Sequence, residues 1–116
     1  MDACLKCFDI FLPLVRGRLE LVERLSRAFA EAQVAQNVVY TEVRYAPHVL
    51  AASRTPEGAA AVVDAVTRGL RAGVAGTPAT INQILCGITW HPEEADDTVS
   101  LAAARKDDWP CAVVGY

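Results

Sequence analysis

Cys4 and Cys7 form a C-x-x-C, a spacing used by redox dithiols and by one half of a four-ligand zinc site. A thioredoxin-type dithiol needs a strand in front of it, and only three residues precede Cys4. A structural zinc site needs a second close pair, whereas Cys86 and Cys111 stand 25 positions apart. On a helix, a spacing of three puts Cys4 and Cys7 on one face beside Phe8 and Phe11, so packing in a core or pocket is the expectation. Cys86 within ILCGI and Cys111 beside AVV read as small hydrophobes. His91-Pro92-Glu93, followed by Pro110-Cys111, begins an H-x-E and P-C-x-x-C pattern, in which zinc activates a water and the glutamate moves the proton. The final cysteine of that pattern falls on Val114, and two ligands cannot hold a catalytic zinc, which takes three from the protein. Pro110 to Tyr116 also reads as a strand, not the helix start that pattern requires. Glu42 and Arg44, two apart on a strand, share a face. Asp96-Asp97 and Asp107-Asp108 flank a surface helix and read as solvated carboxylates at its ends.

The elements that must position these groups follow from composition and period. The chain has 116 residues, 14 acidic and 11 basic, with 53% hydrophobic side chains and a net charge of -3. That content excludes a disordered chain. The slight negative charge gives no electrostatic case for nucleic acid. No apolar run approaches the roughly 18 residues of a membrane span. FDIFLPLV is broken by Asp9 and Pro13, so no signal peptide is expected, and the composition fits a cytoplasmic globular domain.

Leu19, Val22, Leu25, Phe29 and Ala32 recur at helical steps, with Asn37 as the stop and Glu20–Arg24 and Glu23–Arg27 as outer pairs. VVYTEVRY, rich in β-branched and aromatic residues, reads as a strand that Pro47 ends. Thr55 as N-cap, Pro56 and Glu57 open a second helix. Its stripe is Val62, Val63, Val66 and Leu70, and Gly73 its expected stop. TINQILCGITW is a second strand, Pro92 to Glu94 prepare a third helix through LAAARK, and WPCAVVGY closes as a third strand. Apolar strands alternating with one-sided helices predict an α/β fold with right-handed crossovers and a parallel sheet. Three strands leave both sheet margins unpaired. The chain is therefore expected to be a single incomplete domain over residues 1–116, cut from a larger architecture and prone to self-association through exposed strand edges.

NVVYTEVRYAPH, residues 37–48, closely resembles the second-strand motif of the adenosine deaminase family. CLKCFDIFLPLVRG is similar to that family's pocket-helix segment, with its Phe-Asp pair at Phe8 and Asp9. AVVDAVTRGLRAG, ILCGITWHP and the terminal VVGY follow the family's order. The resemblance covers nearly the whole chain, and E-V-R-Y-x-P-H is its most specific part. It implies a partial (β/α)8 TIM barrel, with about three parallel strands alternating with helices. A whole barrel takes about 250 residues.

The resemblance implies hydrolytic deamination of adenosine or deoxyadenosine, by a zinc-activated water attacking C6 of the purine. In that family the metal is held by an H-x-H on the first strand, a histidine on the fifth and an aspartate near the last. This chain is expected to begin after the first of these and stop before the others, and neither His48 nor His91 matches a ligand. No catalytic or metal residue is therefore assigned, and the chain alone is expected to bind no zinc and to be inactive. What carries over is the wall of the substrate pocket. Leu5 and Phe8 match apolar residues of the gate over the purine, Ala46 replaces a small polar residue, and Ile88 matches an apolar pocket position. Cys4 stands where an aromatic is usual, Met1 is placed along the same groove, and Thr89 stands where arginine is common. Glu42 and Arg44 would face into the barrel as struts; a solvent-facing ion pair is the alternative. Arg44 and Ile88 are expected to share one hollow. The competing reading of the whole chain is a non-catalytic small α/β interaction module derived from the family.

Overall fold

A computed structural model describes residues 2–116, with side chains from residue 6 onward. The chain folds as α1 (Asp2–Val15), α2 (Leu19–Ala35), β1 (Tyr40–Tyr45), α3 (Pro47–Leu50), α4 (Pro56–Val74), β2 (Thr80–Leu85), α5 (Ala95–Ala104) and β3 (Val113–Gly115). A 3-10 turn, Pro92–Glu94, leads into α5. The strands form one sheet in the order β1-β2-β3, and both pairings are parallel. This is the α/β arrangement expected, three parallel strands alternating with helices. β1 and β2 pair in register from Tyr40↔Thr80 to Tyr45↔Leu85.

α4 occupies the centre because its residues leave it no other place. Thr55 accepts a hydrogen bond from the Gly58 amide at 3.1 Å, Pro56 occupies the first turn, and the stripe Val62, Val63, Val66 and Leu70 is buried. The helix lays this stripe on Ile81 and Leu85 of β2, while α2 lies along its other side. Gly73 does not stop it. The helix runs on to Val74, and Gly76 at φ 73° provides the left-handed turn after it. Gly69 and Gly73 instead lie where α4 crosses α2. A β-carbon at Gly69 would run into the Glu23 carbonyl, and one at Gly73 into the Ala30 methyl. A glycine near a helix end can signal a stop or a crossing, and here close approach of two backbones decides it.

The remaining elements refine the sequence reading. α2 ends at Ala35 with Asn37 in the left-handed region at φ 60°, where asparagine is tolerated. Its buried face centres on Val22 and Ala30, while Leu25 is half exposed and Ala32 exposed. The expected Glu20–Arg24 and Glu23–Arg27 pairs do not form: Arg27 turns forward to Glu31 at 2.7 Å, and Glu23 reaches Arg68 of α4 at 3.0 Å. Each strand is shorter than its apolar run. Val38 and Val39 precede β1, residues 86–90 follow β2 as a loop, and only residues 113–115 of the last run enter the ladder. Parallel pairing limits all three, because a residue joins the sheet only where a neighbouring strand runs beside it.

Candidate functional site

The two connections that leave the C-terminal ends of β1 and β2 face α1 across a cavity of about 840 Å³. Ala46, directly after β1, and Val49 and Leu50 of α3 form one wall. Ile88 and Trp90 form the second, and Phe8, Asp9 and Leu12 of α1 the third. Lys6, Arg16 and Arg54 add cations at its margin. Phe8 lies 48% exposed with its ring 5.1 Å from Phe11, and Trp90 is 80% exposed, so the cavity's aromatic lining is open to solvent. An apolar cavity carrying a few polar groups suits a small organic ligand.

Three of the four residues placed in the pocket wall from sequence, Phe8, Ala46 and Ile88, line this one cavity. The side chain of Leu5, like those of Met1 and Cys4, lies outside the described residues. Ile88 stands in the loop three positions beyond β2, not on the strand, and Thr89 lies beside it outside the lining of the large cavity. Arg44 does not share the hollow. Alternation along β1 turns it, with Glu42, to the exposed face of the sheet opposite the helices, the face expected to look into the barrel. Tyr45 points to the helix side, and Ala46, past the strand end, borders the cavity. Nor do Glu42 and Arg44 pair; Glu42 accepts a hydrogen bond from the Tyr40 hydroxyl at 2.7 Å. Cys7 is exposed, not packed in the core, while Cys111 is fully buried as expected.

The sheet beneath the cavity is tied by a buried polar chain that the sequence reading missed. Tyr45 donates to Gln83 Oε1 at 2.6 Å, and Gln83 Nε2 donates to Thr67 Oγ1 at 2.8 Å and to the Cys111 carbonyl at 2.7 Å. Thr67 passes its own hydrogen to the Val63 carbonyl at 2.8 Å. Gln83 is fully buried and has every one of these partners on a different element or turn. Burial, then the Asp64 carboxylate, pushes the Tyr45 phenol far above its usual range. The signal available in the sequence was the polar pair Asn82-Gln83 set between Ile81 and Ile84-Leu85 in a strand.

At the edge of the cavity, Arg54 grips Glu94 through both carboxylate oxygens, Nε to Oε1 at 2.6 Å and a terminal nitrogen to Oε2 at 2.8 Å. Beside it, His91 Nδ1 meets Glu93 Oε1 at 2.9 Å, and this hydrogen bond holds the Glu93 carboxyl below its usual range. His91, Glu93 and Glu94 are the one group of potential metal ligands found among the described residues. Their donors do not fit a catalytic metal: Glu94 is committed to Arg54 and His91 to Glu93. Cys111 is not part of that group, so the H-x-E and P-C pattern assembles no ligand set. His48 is separate as well, buried at 2% exposure with Nε2 3.9 Å from Asp97 Oδ2.

The family model for adenosine deaminase matches residues 2–115. The chain belongs to the adenosine deaminase family. It is 33% identical to the adenosine deaminase of Mus musculus over 107 residues, which cover 81% of this chain and 30% of that protein. Against the adenosine deaminase of Rattus norvegicus it is 35% identical over 103 residues, 74% of this chain and 28% of the relative. Against that of Bos taurus it is 31% identical over 119 residues, 91% of this chain and 32% of the relative. The chain thus spans about a third of the length of the curated adenosine deaminases it matches. Its three parallel strands alternating with helices are consistent with part of that family's TIM barrel.

Proposed function

We propose that this chain forms one wall of the nucleoside pocket of an adenosine deaminase-type aminohydrolase, and that the reactive centre is built by segments other than these. The observation that carries the reading is the convergence of Phe8, Ala46 and Ile88, from three separate elements, on one cavity at the C-terminal ends of the strands. Barrel enzymes assemble their active sites at that end. Leu5 belongs to the same wall in this reading. Adenosine or deoxyadenosine is the substrate of the whole enzyme, with the purine against Phe8 and Trp90 and the products inosine or deoxyinosine. Zinc supplies the activated water in that whole enzyme; in this chain no step runs through it, because the His91, Glu93 and Glu94 donors are already engaged.

The chain by itself is therefore inactive and zinc-free in this reading, a single incomplete domain that works at a cytoplasmic location. The test places the chain beside a version extended at both ends into the flanking coding sequence. Elemental analysis and inosine formation are expected to be negative for the chain and positive for the extended protein. Stoichiometric zinc with inosine production by the chain alone would overturn the reading. An extension that adds neither metal nor activity would favour a non-catalytic interaction module in its place.

A further inference from the structure

The Arg54–Glu94 pair joins the two connections that wall the cavity. Arg54 lies between α3 and α4, in the connection that follows β1, and Glu94 ends the 3-10 turn in the connection that follows β2. The residues are 40 positions apart in sequence, so nothing local brings them together. Glu94 is buried, its side chain 7% exposed, and an unpaired carboxylate there would carry a large desolvation cost. The fork of two parallel hydrogen bonds fixes both distance and orientation, which a single ammonium cannot do.

The Arg54 side of this clamp is rigid. Thr55 caps α4, and a β-carbon at Gly58 would collide with the Ser53 carbonyl, so residues 53–58 are pressed onto the first turn of the helix. The Glu94 side has less to hold it. Between β2 and α5 the backbone is tied by Cys86 to the Tyr45 carbonyl at 2.8 Å, His91 to the Ile88 carbonyl at 2.9 Å and Glu94 to the His91 carbonyl at 3.1 Å. Of these bonds only the first reaches another element, and it lies before Ile88 and Trp90. The far end joins α5, where the Thr98 hydroxyl donates to the Glu94 carbonyl at 2.9 Å, and the clamp ties that end to the connection after β1.

We propose that Arg54 is a positioning residue of the nucleoside pocket, which through Glu94 holds the Ile88–Trp90 loop at its working distance from Ala46 and Phe8. The inference rests on the pocket reading above. It predicts a specific dependence on the fork and not on charge alone. Arg54→Lys and Arg54→Gln should both free the loop, with amide hydrogen exchange at His91 and Glu94, whose amides are bonded within it, at least tenfold faster while α4 exchanges as before. Adenosine titrated against Trp90 fluorescence, in a Trp109→Phe background, should bind about tenfold more weakly to both variants. Glu94→Gln should produce the same loosening, and combining it with Arg54→Gln should add little.

Unchanged exchange in the loop of either Arg54 variant would overturn the proposal, even with altered adenosine affinity. Faster exchange throughout α4 as well would also overturn it, because the pair would then be a general stabiliser. Loosened loop amides with unchanged adenosine affinity would remove the link to the pocket and overturn the positioning role. If neither the parent chain nor the version extended at both ends binds adenosine, the pocket reading fails. The exchange comparison still decides whether Arg54 fixes the loop.

Discussion

Gln83 has more hydrogen-bonding partners than any other buried side chain in the sheet, and its neighbours were chosen to satisfy it. Tyr45, Thr67 and the Cys111 carbonyl surround an amide that would otherwise be stranded between α4 and the strands. Tyr45→Phe would leave Gln83 Oε1 without its donor, and the expected loss is about 1–3 kcal/mol in urea denaturation. The same residue predicts a pH dependence. Burial raises the folded-state pKa of the Tyr45 phenol above its ordinary 10.0 and that of the Cys111 thiol above its ordinary 9.0. The unfolded chain then releases these protons first, so the stability they contribute is complete below the ordinary values and is lost as pH rises through them. Denaturant midpoints measured from pH 8 to pH 11 should fall across that window, and Tyr45→Phe should fall less steeply. An equal slope would assign the alkaline loss to other groups.

At the scale of the element, the two glycines of α4 replace side-chain packing with contact between backbones. Glycine inside a helix costs about 1 kcal/mol relative to alanine, so intrinsic propensity favours Gly69→Ala and Gly73→Ala. The crossing with α2 opposes both, since the new methyl would meet the Glu23 carbonyl in one and the Ala30 methyl in the other. Overpacking of this kind costs about 1–3 kcal/mol, and each variant should be less stable despite its better helix former. A gain in the urea midpoint would show that α2 can move aside. Here the limits of the sequence become physical. Thr55, Pro56 and the valine stripe announced α4 because capping and period are local signals. The role of Gly73 was not legible, since it depends on where Ala30 arrives. VVYTEVRY showed a strand but not that pairing begins at Tyr40. Motif resemblance picked out Phe8, Ala46 and Ile88, which line one cavity. It also named the face of Glu42 and Arg44, which lie on the side of the sheet away from the helices, the inner side of a barrel. That Arg44 does not line the same cavity was not legible. Arg54 and Glu94 left no trace, being ordinary surface types that meet only after folding.

For the whole molecule, the decisive feature is a sheet with α4 and α2 packed over one face and Tyr40, Glu42 and Arg44 of β1 exposed on the other. Among the described residues, β1 and β3 each have a strand neighbour on one side only. Val114 and Tyr116 are exposed beside β3, and Leu25 and Phe11 stand half exposed beside an apolar cavity of about 320 Å³ that also reaches Val43 of β1. Unpaired strand backbone next to apolar surface recruits further strands. The chain should therefore associate as its concentration rises, and sedimentation velocity should show a growing sedimentation coefficient. A single small species with cooperative unfolding across the range would mean that the margins are protected.

The two margins are not alike, and both belong to strands that run the same way. Continuing that order sets the last strand of one copy against the first strand of the next, a head-to-tail join with no twofold axis. Such joins end only where the accumulated rotation closes a ring, and otherwise grow into filaments. A ladder of sizes passing through three and four copies would follow from this direction of growth, whereas a population that halts at pairs would mean that like margins meet in opposite senses.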